Sequence, residues 1–171
     1  QHDFAAIGEI GIDLYWDSSL LKEQQNAFIQ QIEWAKELKK PIIIHARNSF
    51  NEIFEILDDL NDEHLSGIFH CFSGDLKQAT RAINYGNFWL GIGGVLTFKN
   101  AGLDQVIKNI ELSRLVLETD SPYLAPAPFR GKRNESSYLT LIATKLAEVK
   151  NVSLEEIALV TTANSKEIFG R

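Results

Sequence analysis

The chain has 171 residues, and its 17 Lys and Arg against 23 Asp and Glu give a formal net charge of −6. Hydrophobic residues make up 44% and charged residues 23%, which is ordinary globular composition and excludes a disordered chain, a collagen-like repeat and a coiled coil. Apolar runs stay far below the roughly 20 residues of a membrane-spanning helix, so we expect no membrane partner. One cysteine, Cys71, cannot form an intramolecular disulfide, and we expect a cytoplasmic protein.

Apolar segments and amphipathic segments alternate along the chain. In chain order the pattern predicts a strand at 4–13, a helix at 21–39, a strand at 42–45, a helix opened by a capping box at 49–52, a strand at 67–70, a helix from 75 to 86, a strand at 87–93, a helix around 103–107 and a strand at 115–117. A proline-containing loop at 121–134 follows, and then a long helix around 138–146, a capped helix from 153 and a last helix near 165–169.

Strand-then-helix repetition predicts βαβ units, and therefore a (β/α) barrel or a doubly wound parallel sheet. The strands are apolar on both faces, as in a parallel sheet that is covered on both sides. Five strands are found, whereas a (β/α)₈ barrel has eight strands and roughly 250 residues. We expect one domain, residues 1–171. The chain contains no Met and begins with Gln, which together with the strand count favours a fragment of a larger protein.

Four polar residues interrupt the apolar strands or lie at their ends: Glu9, His45, His70 and Asp120. The carboxyl ends of parallel strands meet at one edge of the sheet, where active sites are built. A lone histidine at such a position is more often a core or loop residue than a ligand. Two imidazoles and two carboxylates at the same position of four strands instead predict a divalent metal site of Zn, Mn or mixed nitrogen and oxygen type.

Several motifs resemble those of one known family. They are AIGEIGID at 6–13, IHAR at 44–47, FHCFSG at 69–74, ETDSPYL at 118–124, the loop RGKRN at 130–134 and the ending NSKEIFG at 164–170. In this order they resemble the successive motifs of the TatD family, and the resemblance runs from end to end of the chain.

The resemblance implies a TIM (β/α)₈ barrel of the amidohydrolase-type, metal-dependent hydrolase superfamily, with two divalent cations (Mg, Mn or Zn). By similarity Glu9 bridges both metals, His45 and His70 hold the second, and Asp120 belongs to the first. The family also has a His-x-His pair at the end of its first strand. That pair and the first three strands are absent here, so the chain resembles the C-terminal two-thirds of a TatD protein, about five of eight βα units.

The resemblance further implies a deoxyribonuclease, and we expect an exonuclease that acts on a single-stranded DNA end with no obligate protein partner. Glu9 and Asp120 are the candidate catalytic residues, because two cations can activate a water molecule that a neighbouring carboxylate deprotonates. Candidate phosphate-binding residues are Arg47, Arg130 and Arg133. Phe72, Tyr123 and Phe129 are candidates for stacking on bases, but aromatic residues near a barrel mouth more often serve in packing. For Glu118 a supporting role is at least as plausible as a catalytic one.

Two alternative functions remain open from the sequence. One is another amidohydrolase-type reaction at the same metal site, such as hydrolysis of a lactone, an amide or a simple ester. The other is an inactive partial barrel that binds a partner through its sheet edge. Measuring bound metal would distinguish the inactive binding module from either enzyme. Comparing the cleavage of DNA with that of small esters would distinguish the deoxyribonuclease from the other hydrolase.

Overall fold

The computed structural model describes residues 4–170, so the ends of the expected 1–171 domain lie outside the described residues. Its strands are β1 (Ile7–Asp13), β2 (Ile42–Arg47), β3 (Gly67–Phe69), β4 (Phe88–Ile92) and β5 (Leu115–Leu117). Its α-helices are α1 (Leu21–Leu38), α2 (Phe50–Leu60), α3 (Leu76–Asn84), α4 (Leu103–Lys108), α5 (Leu139–Lys150) and α6 (Leu154–Phe169). Among the described helices, none is long and apolar enough to cross a membrane.

The sheet is parallel throughout, and its strand order is β1-β2-β3-β4-β5. In a doubly wound sheet the strand order reverses at a switch point. Here every strand pairs with the next one in the chain, so there is no reversal among the described strands. Right-handed crossovers then place the helices that connect these strands, α1 to α4, on one side of the sheet, which is the arrangement of a barrel wall.

The main core lies between this helical layer and the outer face of the sheet. Alternate strand residues such as Ile44, Phe69 and Leu90 are buried there against helix residues such as Phe28 and Leu57. The intervening strand residues point to the opposite, inner face of the sheet. The candidate metal ligands Glu9, His45 and His70 lie on this inner face.

A second apolar cluster fills the inner face below the strand ends. Ile68, Trp89 and Val116 are buried there together with Ile168 near the end of α6. The helix is fastened by Asn164, whose Nδ2 donates to the carbonyl oxygens of Leu112 (3.0 Å) and Leu115 (2.7 Å). The C-terminal helix therefore covers the amino-terminal part of the inner face and leaves the carboxyl ends of the strands accessible.

Two local predictions are wrong. The predicted helices at 153 and 165–169 are one continuous helix, α6, because the hydroxyls of Thr161 and Ser165 donate to carbonyls four residues earlier and do not break it. Ser49 does not form the predicted capping box; its hydroxyl donates to the Ile12 carbonyl (2.5 Å) and accepts from the Arg47 N–H (3.1 Å). The capping box lies instead on α3, where Asp75 and Gln78 bond each other's backbone N–H.

The attachment of α6 generates a stability prediction. Replacing Asn164 with Ala leaves two carbonyls without their donor, so we expect the free energy of unfolding to fall by about 1–3 kcal/mol in urea titrations. Ser165→Ala removes only a hydroxyl that bonds within the helix, and we expect a change within about 0.5 kcal/mol. Equal losses in the two variants would contradict the role of Asn164.

Candidate metal centre

Glu9 is directed to the inner face by an irregularity in β1. Gly8 pairs with Ile43 and Ile10 pairs with Ile44, so Glu9 is an additional residue between two consecutive pairs. Such a bulge changes the direction of the side chain that it carries. The Glu9 Oε2 lies 3.4 Å from the Nε2 of His70, and the Glu9 side chain is 56% exposed. Glu9 therefore offers a carboxylate oxygen on the accessible side of β3.

His45 is oriented by a carboxylate that follows Glu9 on the same strand. The His45 Nε2 lies 2.9 Å from Asp13 Oδ2, which leaves its Nδ1 3.3 Å from His70 Nε2. Asp13 Oδ1 accepts from the Tyr15 N–H (2.9 Å). Burial acts to raise the pKa of Asp13, but the Tyr15 hydrogen bond and the neighbouring His45 lower it, so this carboxylate is ionised. Such carboxylate–imidazole pairs fix the ring orientation of metal ligands.

His70 is the most buried member of the group, with a side chain 7% exposed. Its Nδ1 lies 3.7 Å from Glu118 Oε2, and the other oxygen of Glu118 accepts from the backbone N–H of Cys71. Burial acts to lower the pKa of His70, but Glu118, Glu9 and Asp120 together outweigh it, so that the pKa is raised. The Nε2 of His70 thus faces Glu9 and His45 while Glu118 holds the other side of the ring.

Gly91 makes this support possible. Glu118 follows β5 and His70 follows β3, and Gly91 lies on β4 between them. A Cβ at Gly91 would lie 2.9 Å from Glu118 Oε1 and 3.1 Å from His70 Cα. The absence of a side chain therefore leaves room for the Glu118 carboxylate to reach across β4.

Asp120 lies beside this group but not in it. The candidate ligand atoms of Glu9, His45 and His70 all lie within 4.8 Å of one another. Asp120 lines a cleft of about 440 Å³ together with Glu9, His70 and Glu118. Burial raises the pKa of Asp120, His70 lowers it, and Glu118 and Glu9 raise it, so that the net shift is upward.

A buried asparagine fixes the loop that carries Asp120. The Nδ2 of Asn134, which is 2% exposed, donates to the carbonyl oxygens of Thr119 and of Tyr123 (2.6 Å). The Tyr123 N–H in turn donates to the Asp120 carbonyl (2.8 Å). Asp120 adopts a left-handed backbone conformation (φ 53°), and these bonds hold the turn in which it lies.

Comparison with known proteins gives the family. The family model described as TatD related DNase matches residues 1–170. The chain belongs to the TatD family. It is 46% identical over 165 residues to the uncharacterized metal-dependent hydrolase YabD of Bacillus subtilis, covering 96% of this chain and 64% of YabD. It is 38% identical over 170 residues to the uncharacterized metal-dependent hydrolase YcfH of Escherichia coli K12, covering 99% of this chain and 64% of YcfH.

Solved structures of the family share the fold. The crystal structure of YjjV, a TatD homologue from Escherichia coli K12, matches with a TM-score of 0.91 at 30% identity and covers 97% of this chain and 64% of that one. The hydrolase TatD family protein from Entamoeba histolytica matches with a TM-score of 0.82 at 24% identity, covering 96% of this chain and 63% of that one. The chain thus spans less than two-thirds of these relatives. The predicted fold class, a partial TIM barrel of five βα units, is confirmed.

The donor set of this TatD-family chain fits a divalent cation. Two imidazole nitrogens and a carboxylate oxygen converge, which is a ligand combination that zinc, manganese and iron accept. Burial, followed by the neighbouring carboxylates, raises the pKa of Asp120, and carboxylates raise the pKa of His70 against the effect of burial. A cation would neutralise the negative charge of the carboxylates grouped here. Glu9, His45 and His70 would hold such a cation.

The candidate substrate residues are placed differently from one another. Arg47 lies two residues after His45 on β2, and its guanidinium is 3.6 Å from the ring centroid of Tyr15. The guanidinium of Arg130 lies 3.9 Å from the ring centroid of Phe98. Of the described residues that line the Asp120 cleft, none is Arg130 or Arg133. Arg47 follows a candidate ligand on the same strand and lines a different cleft, so none of the three arginines lines the Asp120 cleft.

The stacking candidates also differ. Phe72 is 1% exposed and packs on Phe50 at 5.4 Å between ring centroids, so of its two expected roles it has the packing role and is not available to stack on a base. Phe129 is stacked on Tyr138 at 4.5 Å, whereas Tyr123 is 70% exposed. Phe72 is buried because it packs against the aromatic residues of α2, a contact between elements that the local sequence does not show.

Sequence reasoning did not assign the supporting roles of Asp13, Gly91 and Asn134. Asp13 carries a weak signal, since an even spacing from Glu9 along one strand places both on the same face. Gly91 and Asn134 carry no such signal, because their roles depend on residues from other strands and loops.

The position of Gly91 generates a prediction for metal binding. In Gly91→Ala the new methyl displaces the Glu118 carboxylate, so we expect affinity for Zn²⁺ or Mn²⁺ to fall by about 10- to 100-fold in calorimetric titrations. Gly93→Ala is the matched control on the same segment. Its Cβ would meet Cys71 Sγ at an ordinary 3.7 Å, and its φ of −110° suits alanine. Unchanged affinity in Gly91→Ala would contradict the role of Glu118.

Proposed function

We propose that this chain carries the metal centre of a deoxyribonuclease that hydrolyses phosphodiester bonds of DNA from a strand end. The observation that carries the proposal is the convergence of Glu9, His45 and His70 within 4.8 Å at the carboxyl ends of three neighbouring strands. The description of the matching family model as a DNase points to the same chemistry.

Each residue of the centre has a distinct role in the proposal. Divalent cations would supply Lewis acidity, which lowers the pKa of water and neutralises charge on the scissile phosphate. Glu9 would hold both cations, and His45 and His70, whose rings are oriented by Asp13 and Glu118, would hold one of them. Asp120 accepts the proton of the attacking water, a role that its raised pKa suits better than an ordinary carboxylate pKa would.

Phosphate recognition is assigned to arginines at the same end of the sheet. Arg47 extends from the final position of β2, next to the centre, and Arg130 and Arg133 belong to the exposed loop after Asp120. Guanidinium groups match phosphate oxygens in a bidentate manner. These arginines therefore favour a polyanionic substrate such as DNA over a neutral lactone, amide or ester.

The bridging carboxylate provides the test. In the purified protein supplied with Mg²⁺ or Mn²⁺, we expect Glu9→Gln to lower cleavage of end-labelled single-stranded DNA by at least about 100-fold. It should also reduce the bound metal measured by mass spectrometry, because one carboxylate serves both cations. Glu55→Gln, an exposed change on the outer helix α2, is the matched control and should leave both values unchanged.

Three outcomes would contradict this function. Normal DNA cleavage by Glu9→Gln would remove Glu9 from the centre. Cleavage of small esters without cleavage of DNA would favour the other amidohydrolase-type reactions. Absence of bound metal in the unchanged protein would favour a binding module. Cleavage of circular single-stranded DNA at the rate of linear DNA would overturn the exonuclease assignment alone.

A further inference from the structure

Two aromatic side chains stand exposed where β1 ends. Tyr15 is 49% exposed and Trp16 is 82% exposed. Their rings meet edge to face, with centroids 4.8 Å apart and an interplanar angle of 90°. A tryptophan at this exposure presents a large aromatic face that a ligand can cover.

The pair is held in place by polar contacts. The Arg47 guanidinium lies 3.6 Å from the Tyr15 ring centroid and 5.9 Å from that of Trp16, and such cation–π contacts restrict both partners. The Tyr15 N–H donates to Asp13. Beyond Trp16, Asp17 accepts from both the N–H (2.7 Å) and the hydroxyl (2.9 Å) of Ser19. The aromatic pair is therefore supported on both sides along the chain.

The pair is also connected to the metal centre. The Asp13 carboxylate bonds Tyr15 through Oδ1 and His45 through Oδ2. Arg47, two residues beyond His45, reaches the Tyr15 ring and also lines a mainly polar cleft of about 420 Å³ between the loops after β2 and β3. The exposed rings thus stand at the border between the candidate metal ligands and a polar surface.

We propose that Trp16, supported by Tyr15 and Arg47, is a stacking site for an unpaired nucleobase of single-stranded DNA, and that Arg47 contacts the adjacent phosphate. This inference rests on the proposed function. Alternating bases and phosphates match an aromatic face beside a guanidinium, which is how single strands are bound without sequence readout. A protein hot spot would instead be expected within an apolar surround, and the neighbouring cleft is lined mainly by polar side chains such as Asn48, Ser73 and Asp75.

The experiment measures DNA binding without catalysis. Fluorescence anisotropy in EDTA compares a labelled oligothymidine with an oligonucleotide of equal length that carries abasic spacers. We expect Trp16→Ala to raise the Kd for oligothymidine about 10-fold, within the range of one base–aromatic stack. Its Kd for the abasic strand should stay within about 2-fold, because that strand has no bases to stack. Trp16→Phe should recover most of the oligothymidine affinity.

Trp34→Ala is the matched control. Trp34 is 49% exposed and lies near the C-terminal end of α1. This end of the helix leads to the start of β2, so Trp34 lies toward the amino-terminal ends of the strands, away from the candidate metal centre. We expect Trp34→Ala to bind oligothymidine with the same Kd as the unchanged protein. With metal restored, Trp16→Ala should raise KM for single-stranded DNA while kcat changes little, because the stacked base is not the reacting group.

Several results would overturn the inference. They are an unchanged oligothymidine affinity in Trp16→Ala, an equal loss on the abasic strand, and an equal loss in Trp34→Ala. Self-association that Trp16→Ala abolishes while DNA affinity stays the same would identify a protein contact instead. If the unchanged protein still cleaves DNA in these cases, the proposed function stands. If it neither binds nor cleaves DNA, both proposals fall.

Discussion

The spacing of neighbouring parallel strands, about 4.8 Å, is the constraint on which the candidate centre depends. Because β1, β2 and β3 are adjacent, one ligand from each strand end comes within reach of a single cation. The approach of β1 to β2 requires Gly11, where a Cβ would lie 2.2 Å from the His45 carbonyl and φ is +132°. The reach from β5 to β3 requires Gly91 in the same way. The helices and the outer core serve to hold this inner edge in register.

Electrostatics at the centre follow from the same crowding. Carboxylates from β1 and from the segment after β5 converge on two imidazoles, and the pKa values of His70, of Asp120 and of the partly buried Cys71 thiol are all raised. Burial is the first cause for the two acids, and neighbouring carboxylates contribute in all three. A cation in the centre would compensate this charge, so ligand binding and fold stability should be coupled. The carboxylates that orient His45 and His70 would also strengthen them as ligands.

Much of this arrangement could be predicted from local patterns. The apolar runs located all five strands, and β5 begins and ends at the predicted residues. Glu9, His45 and His70 were recognisable because each interrupts an apolar strand. The remainder depends on three-dimensional proximity. Ser49 bonds to Ile12 of β1 because the strands are adjacent, and Glu118 reaches His70 only because Gly91 lies between them. Predicting either contact requires knowing how neighbouring strands are aligned with one another, and hydrophobic periodicity along the chain does not give that alignment.

Anomalous X-ray diffraction from crystals soaked in Mn²⁺ or Zn²⁺ is the most direct test of the centre. The account predicts an anomalous peak bounded by Glu9, His45 Nδ1 and His70 Nε2, with metal–nitrogen distances of about 2.0–2.2 Å. The peak should be absent from crystals of Glu9→Gln soaked identically. A cation bound away from these three side chains, or none at millimolar concentration, would contradict the assignment of the candidate metal centre.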